Sequence, residues 1–309
     1  MKDLRIIFMG TPEFAVPSLN ELVAQDFNVV AVITAPDKPA GRGKKICTSA
    51  VKDAAVAHNI PVLQPTNLKN ENFIEELKSY QADLQVIVAF RMLPEVVWDM
   101  PPLGSFNLHA SLLPQYRGAA PINWAVINGE KETGCTTFFL QHAIDTGDII
   151  LQEKETISRE DTVGDVYERL MYKGAKLVAT TTEMIAKDEV VTSPQNINQV
   201  LKSAPKIFKE TCEINWEDEA EDIFNFVRGL SPYPASWTTL NNKQLKVFKA
   251  SVVKKTEEHP EEQDIYTDNK SFLYFSTADD WIAIEELQLE GKKRMTVTDF
   301  LCGYQVEIN

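Results

Sequence analysis

Cysteine is scarce in this chain of 309 residues: the four present, Cys47, Cys135, Cys212 and Cys302, are widely spaced, with no CxxC pair. Neither a disulfide framework nor a zinc site is supported, since no histidine stands at ligand spacing from them. Long apolar runs are missing too. The longest, such as Gln85 to Phe90, fall far short of the roughly 20 residues that span a bilayer. Lys2 and Arg5 precede the apolar Ile6 to Met9, but Gly10, Thr11, Pro12 and Glu13 end that run before signal-peptide length. A cytoplasmic location without membrane attachment is expected. Positive charge is also short: 31 Lys and Arg stand against 45 Asp and Glu, a formal net charge of -14. That balance argues against a DNA partner and confines any contact with a polyphosphate to local basic patches.

Two nucleotide signatures are absent as well. The first turn reads Gly10-Thr11-Pro12-Glu13-Phe14, without the spaced glycines that let a pyrophosphate approach a helix N-terminus, so a nicotinamide dinucleotide is not expected. No GxxxxGK[ST] loop occurs, which removes phosphate hydrolysis of the P-loop kind.

What is present is a chain with 44% hydrophobic residues, longer than a single core usually grows, so two domains are expected. The first third alternates apolar β-like runs (4 to 10, 28 to 35, 83 to 90, 104 to 110) with helical patterns near 16 to 25, 49 to 58 and 70 to 79. This βαβ punctuation predicts an α/β, Rossmann-like, doubly wound and mostly parallel sheet over residues 1–189. A helical stretch covers 161 to 187. Residues 190–207 then lose periodicity and gather Ser, Pro, Asn and Gln, which reads as a linker. From 208 to 309, a helix from Asp218 to Gly229 is followed by ASWTTL, LKVFKAS, SFLYFST and DWIAIEELQ, short alternating segments that predict a smaller, mostly β, barrel-like (OB-like) domain.

In Ser105-Phe106-Asn107-Leu108-His109-Ala110 polar and apolar residues alternate, so in an extended chain Asn107 and His109 share one face. A parallel strand ending near Ala110 would bring both to the carboxyl edge of the sheet, where such folds place their ligand crevice. Taken alone, the pair reads first as a hydrogen-bonded structural Asn and His. The turn-rich Ser111 to Gly118 leads into a helix at Pro121, and Asp145 enters a glycine-containing turn able to return to the same crevice or simply to cap itself. Residues 34 to 52 hold Lys38, Arg42, Lys44, Lys45 and Lys52 against Asp37 alone. On composition this is first a solvated surface loop.

The run FNLHASLLPQYRGAAPINWAVINGE followed by AIDTGDIILQ resembles the signature of the folate-dependent formyltransferases. The resemblance implies catalysis by Asn107, His109 and Asp145, with 10-formyltetrahydrofolate as co-substrate and no metal. It also implies a folate pocket built partly from Ser111, Leu112, Leu113 and Pro114 through backbone groups. FMGTPEFAVPSL, PAGRGKK, RGLSPYPASW and LQLEGKKRM are similar to the members whose acceptor is the α-amine of methionine on initiator tRNA. Lys38, Arg42, Lys44 and Lys45 then become candidate tRNA contacts, and Lys206, Lys209, Lys246, Lys249, Lys292, Lys293 and Arg294 could extend a positive track in a monomeric enzyme. Phe90 and Arg91 depart from the family pattern, which has tyrosine and glycine there. Sugar-nucleotide formyltransferases and formyltetrahydrofolate hydrolases would share the same trio. Neither needs a basic loop or a basic second domain.

Overall fold

The computed structural model describes residues 4–40, 45–198, 200–256, 259–260 and 263–307, with the side chains of Ala40 and Lys45 outside the description. The chain forms two compact units. The first comprises Met1–Gly118, Thr133–Glu155 and Tyr167–Ser203, and the second Ala119–Glu132, Thr156–Val166 and Ala204–Asn309.

Up to Thr156 the strands are β1 (Arg5–Gly10), β2 (Asn28–Ile33), β3 (Lys38–Ala40), β4 (Lys45–Cys47), β5 (Val62–Leu63), β6 (Leu84–Val88), β7 (Ser105–His109), β8 (Arg117–Gly118), β9 (Glu132–Phe139) and β10 (Ile149–Thr156). The accompanying helices are α1 (Val16–Ala24), α2 (Ala50–Ala57), α3 (Glu71–Ser79), α4 (Glu95–Trp98), α5 (Pro121–Ile127) and α6 (Val163–Ala186). Capping fixes two of the starts: Ser49 Oγ accepts from Lys52 N–H at 3.0 Å and Asn70 Oδ1 from Phe73 N–H at 3.2 Å.

The main sheet runs β10-β9-β7-β6-β1-β2-β5. β5, β2, β1, β6 and β7 are mutually parallel, and β9 runs antiparallel to β7. Ile6 to Gly10 of β1 are buried throughout, as expected for a strand covered on both faces. Ile7, Met9, Ile33 and Ile87 pack under Phe73 and Leu77 of α3 in one core cluster. Strand order reverses between β1 and β6, so the crevice beyond the carboxyl ends of β1, β6 and β7 is the topological switch point. The mostly parallel α/β expectation therefore holds.

The stretch that reads as a linker is stitched into the first unit up to Ser203. Ser193 exchanges backbone hydrogen bonds with Ile149 at 2.8 and 2.9 Å, and Tyr116 N–H donates to Lys202 C=O at 2.7 Å.

Beyond β11 (Ser203–Ala204), the second unit contains α7 (Ala220–Leu230), β12 (Ser236–Leu240), β13 (Lys243–Val253), β14 (Ile265–Thr267), β15 (Leu273–Ser276), β16 (Trp281–Leu289), β17 (Met295–Thr296) and α8 (Val297–Gly303). Its sheet order is β12-β13-β16-β15-β14, with β17 on β16 and antiparallel pairing throughout. Register breaks at Val247/Lys249 and Lys249/Ala250 mark where β13 bends. Among the described residues β12 and β14 do not pair, so the barrel-like expectation resolves to a curled, open half-barrel. Ile223 and Val227 of α7 share its core with Leu245, Val247 and Leu287.

Candidate functional site

β7 sits between β6 and β9, with Asn107 opposite Ile87 on one side and Phe138 on the other, and His109 opposite Thr136. The side chains alternate as the sequence requires: Phe106 is fully buried, Asn107 is half-buried, and His109 is 6% exposed. Among the described residues the Asn107 amide has no hydrogen-bond partner. His109 is held at one ring nitrogen, Nε2 lying 2.8 Å from Tyr116 C=O. A carbonyl only accepts, so Nε2 carries the hydrogen, and in the neutral ring Nδ1 is a bare lone pair. Facing Nδ1 at 4.0 Å is Asp145 Oδ2, beyond hydrogen-bond reach and well inside electrostatic reach. Asp145 Oδ2 also accepts from Gly118 N–H at 3.1 Å. Two proton acceptors thus confront each other beside an unengaged amide.

The approach of Asp145 depends on backbone conformation. Asp145 adopts φ 55°, a left-handed value that Asp tolerates better than most residues. Two residues on, a Cβ at Gly147 would fall 1.6 Å from Phe139 C=O, so only glycine lets the turn close against β9. Tyr116, also left-handed at φ 58°, turns its carbonyl toward His109. Leading into it, the Leu113–Pro114 peptide is cis.

Ser111, Leu113 and Pro114 are buried and Leu112 half-buried. Thr136 Oγ1 donates to Ser111 C=O at 2.6 Å and accepts from Leu113 N–H at 3.1 Å, while Gln152 Nε2 donates to Leu113 C=O at 2.9 Å. These backbone groups hold the loop itself, which narrows what the segment can offer a ligand. Cys135, beside Thr136, is fully buried, and burial pushes its thiol up to about 12, so it is no nucleophile at neutral pH.

Residues 4–182 match the model of the formyl transferase family, and residues 206–305 match that of the formyl transferase C-terminal domain. A methionyl-tRNA formyltransferase of Phocaeicola vulgatus is 54% identical, over 100% of this chain and 98% of its own. One of Parabacteroides distasonis is 53% identical, over 98% and 97%. The chain belongs to the formyl transferase family. Among solved structures, an N-formyltransferase from Helicobacter canadensis in complex with folinic acid and dTDP-3-aminofucose superposes with a TM-score of 0.68 at 20% identity, covering 94% of this chain and 100% of that one. At that identity it shares the fold.

In this formyl transferase the switch-point wall carries the Phe90 and Arg91 departure. The Arg91 guanidinium donates to Pro65 C=O at 2.5 Å and Thr66 C=O at 3.1 Å, with its carbon 5.8 Å from the Phe90 ring centre, and so ties the strand end to the 65–66 turn. Of the candidate tRNA contacts, Lys38 is exposed on β3. Arg42 and Lys44 lie outside the described residues, as does the Lys45 side chain. The hairpin base is fixed by Lys52 Nζ, which donates to Asp37 Oδ2 at 2.5 Å and Gln64 Oε1 at 2.9 Å. Gln64 Nε2, which donates to Asp37 Oδ1 at 2.7 Å, and Lys52 together hold the Asp37 carboxyl below its usual range, the Gln64 amide contributing most.

The second unit contains a cavity of about 440 Å³ lined by Lys206, Phe208, Lys209, Tyr233, Trp237 and Lys246, among others. Sequence reasoning named the three lysines without showing that they converge. Lys249 and Arg294, in contrast, pair with Glu285 and Glu286, and so add little free positive charge. Tyr116, Gly118, Thr136 and Gln152 were also missed, since they act through backbone groups or contacts distant in sequence.

Proposed function

We propose that the chain transfers the formyl group of 10-formyltetrahydrofolate to the α-amine of methionyl initiator tRNA, at Asn107, His109 and Asp145. The observation that carries this reading is the unengaged Asn107 amide beside a His109 Nδ1 lone pair that faces the Asp145 carboxylate at 4.0 Å.

Formyl transfer needs a neutral amine, a donor for the negative charge growing on the formyl oxygen, and an acceptor for the surplus proton. Asn107 N–H donates to that oxygen as the amine nitrogen bonds to the formyl carbon; comparable donors are worth roughly 3 kcal/mol in the transition state. The amine proton passes to His109 Nδ1. The Tyr116 carbonyl fixes the ring so that Nδ1, not Nε2, meets it, and Asp145 offsets the positive charge that results. The bond from the formyl carbon to the folate nitrogen then breaks, and that nitrogen recovers a proton through the same relay. Ser111, Leu112, Leu113 and Pro114 wall the folate, with Asp145 and Asn107 at the reacting carbon.

Lys38, Arg42, Lys44 and Lys45 contact the tRNA backbone. The cavity of Lys206, Lys209 and Lys246 with Phe208, Tyr233 and Trp237 joins charge for phosphates with faces for bases, the combination that binds single-stranded nucleic acid with little sequence preference. An acidic protein thereby engages RNA at restricted places. Catalysis belongs to residues 1–189 and tRNA binding to 208–309, with 190–207 joining them in sequence; the compact units cut across these bounds, since 119–132 and 156–166 belong with 204–309. It acts as a cytoplasmic monomer.

Incubation with 10-formyltetrahydrofolate and methionyl initiator tRNA is expected to release formylmethionine on later tRNA hydrolysis, whereas a dTDP-amino sugar in place of the tRNA gives no product. Absence of formylmethionine, or efficient sugar formylation, would sink the proposal.

A further inference from the structure

Gln195 lies in the irregular stretch after α6, 50 residues from Asp145 and 78 from Arg117. Its side-chain amide nevertheless joins the two loops that define the site. Nε2 donates to Asp145 C=O at 2.9 Å and to Gly147 C=O at 2.8 Å. Oε1 accepts from Arg117 Nε at 3.1 Å and from an Arg117 terminal nitrogen at 2.6 Å. Arg117 is flanked by the two residues that touch the reacting groups: Tyr116, whose carbonyl accepts from His109 Nε2, and Gly118, whose N–H donates to Asp145 Oδ2.

We propose that Gln195 is a positioning residue for formyl transfer, setting the Asp145 carboxylate against His109 by bridging Arg117 to the 145–147 turn. The inference rests on the function proposed above. The chemistry selects glutamine: two carbonyls on one side require a donor, and a guanidinium on the other requires an acceptor. Glutamate would place an anionic oxygen against the carbonyls, and asparagine is one methylene short. The turn needs such a clamp because Asp145 has a left-handed backbone, a conformation that crowds the Cβ of an L residue. The β9 side is already fixed, with Phe139 N–H donating to Asp148 C=O at 3.2 Å and Gly147 closed against Phe139 C=O. Gln195 holds the opposite flank. With both carbonyls drawn toward Gln195, the carboxylate is aimed at Gly118 N–H and His109 Nδ1.

Gln195→Met keeps the length of the side chain and removes every hydrogen bond. It is expected to lower kcat on the order of tenfold to a hundredfold, as for other displacements of a reacting group by about 1 Å, with KM for both substrates within about twofold. In an Asp145→Asn background, the same substitution should have no further effect, because the group it positions is gone. Hydrogen exchange of the free protein gives a second readout: the Gly118 amide should exchange at least about tenfold faster in Gln195→Met, with the β7 amides unchanged. A kcat within about twofold of wild type, an equal loss in the Asp145→Asn background, or unchanged Gly118 exchange would overturn the proposal. A wild-type protein that fails to formylate methionyl-tRNA would instead overturn the function, and Gly118 exchange would still decide whether Gln195 positions Asp145.

Discussion

Asn107, His109 and Asp145, the proposed catalytic groups, differ in how firmly each is held. His109 is the most constrained, buried and oriented by a carbonyl that fixes which nitrogen is bare. Asp145 is held by the Gly118 amide and by its own backbone turn. Asn107 stands unengaged, in keeping with its proposed role as a donor to charge that develops only in the transition state. Asn107→Ala is therefore expected to lower kcat by about 10² to 10³ with little change in KM for the folate donor, measured by initial rates of methionyl-tRNA formylation. A large rise in KM with kcat preserved would give Asn107 a binding role instead. The alternation of Phe106, Asn107, Leu108 and His109 made the shared face legible, since strand geometry alone dictates it. The meeting of Asp145 with His109 was not legible, because it needs a left-handed residue and a glycine pressed on Phe139 C=O.

At the scale of elements, the close crossing of α5 and α7 supports the second unit. A Cβ at Gly229 would lie 2.5 Å from Ile127 Cγ1 and 2.8 Å from Ile127 N, and Asn123 Nδ2 donates to Gly229 C=O at 2.9 Å across the contact. Backbone cannot retreat as a side-chain end can. Gly229→Val should destabilise the protein by about 1–3 kcal/mol, read as a lowered urea midpoint by circular dichroism; an unchanged midpoint would mean that the helices separate freely. Within α7, burial lowers the Arg228 guanidinium from its ordinary value, and that group still donates to Asp161 C=O at 3.0 Å. The RGL run was visible in the sequence as a motif, but not as a helix crossing. α6 was readable because a helical period persists over its 24 residues, and β6 because a short, mostly apolar run marks a buried strand. β14, a strand of three residues, is too short to carry a period and depends on pairing with β15.

For the whole molecule, the net charge of -14 makes the state of its carboxylates a stability question. Asp280 is held below the usual carboxylate range first by Lys254 Nζ at 2.5 Å and then by Lys255 N–H at 3.0 Å. Asp279 is lowered chiefly by the Ala220 N–H it accepts at 2.8 Å, and Asp268 by the Ser271 hydroxyl and nearby backbone amides. A depressed folded value means that the unfolded chain binds protons first as pH falls. The stabilisation is therefore complete above the unfolded value of about 3.9 and is lost as pH drops through the folded one. Asp280→Asn should lower the urea midpoint at pH near 6, and the gap to wild type should shrink as pH falls below about 4. A gap that stays constant to acid pH would show that Asp280 acts through shape, not charge.

By itself the sequence determined the α/β alternation, the β-rich C-terminal part, the strand face of Asn107 and His109, and, by family likeness, the reaction class. These follow from local periodicity and contiguous motifs. Tertiary structure alone decided that residues 119–132 and 156–166 belong with the C-terminal unit, that Lys206, Lys209 and Lys246 line one cavity, and that Gln195 reaches Asp145 and Arg117. The reason is distance along the chain: a hydrogen bond between residues 50 or 78 positions apart leaves no periodic trace and exists only once packing brings its partners within about 3 Å.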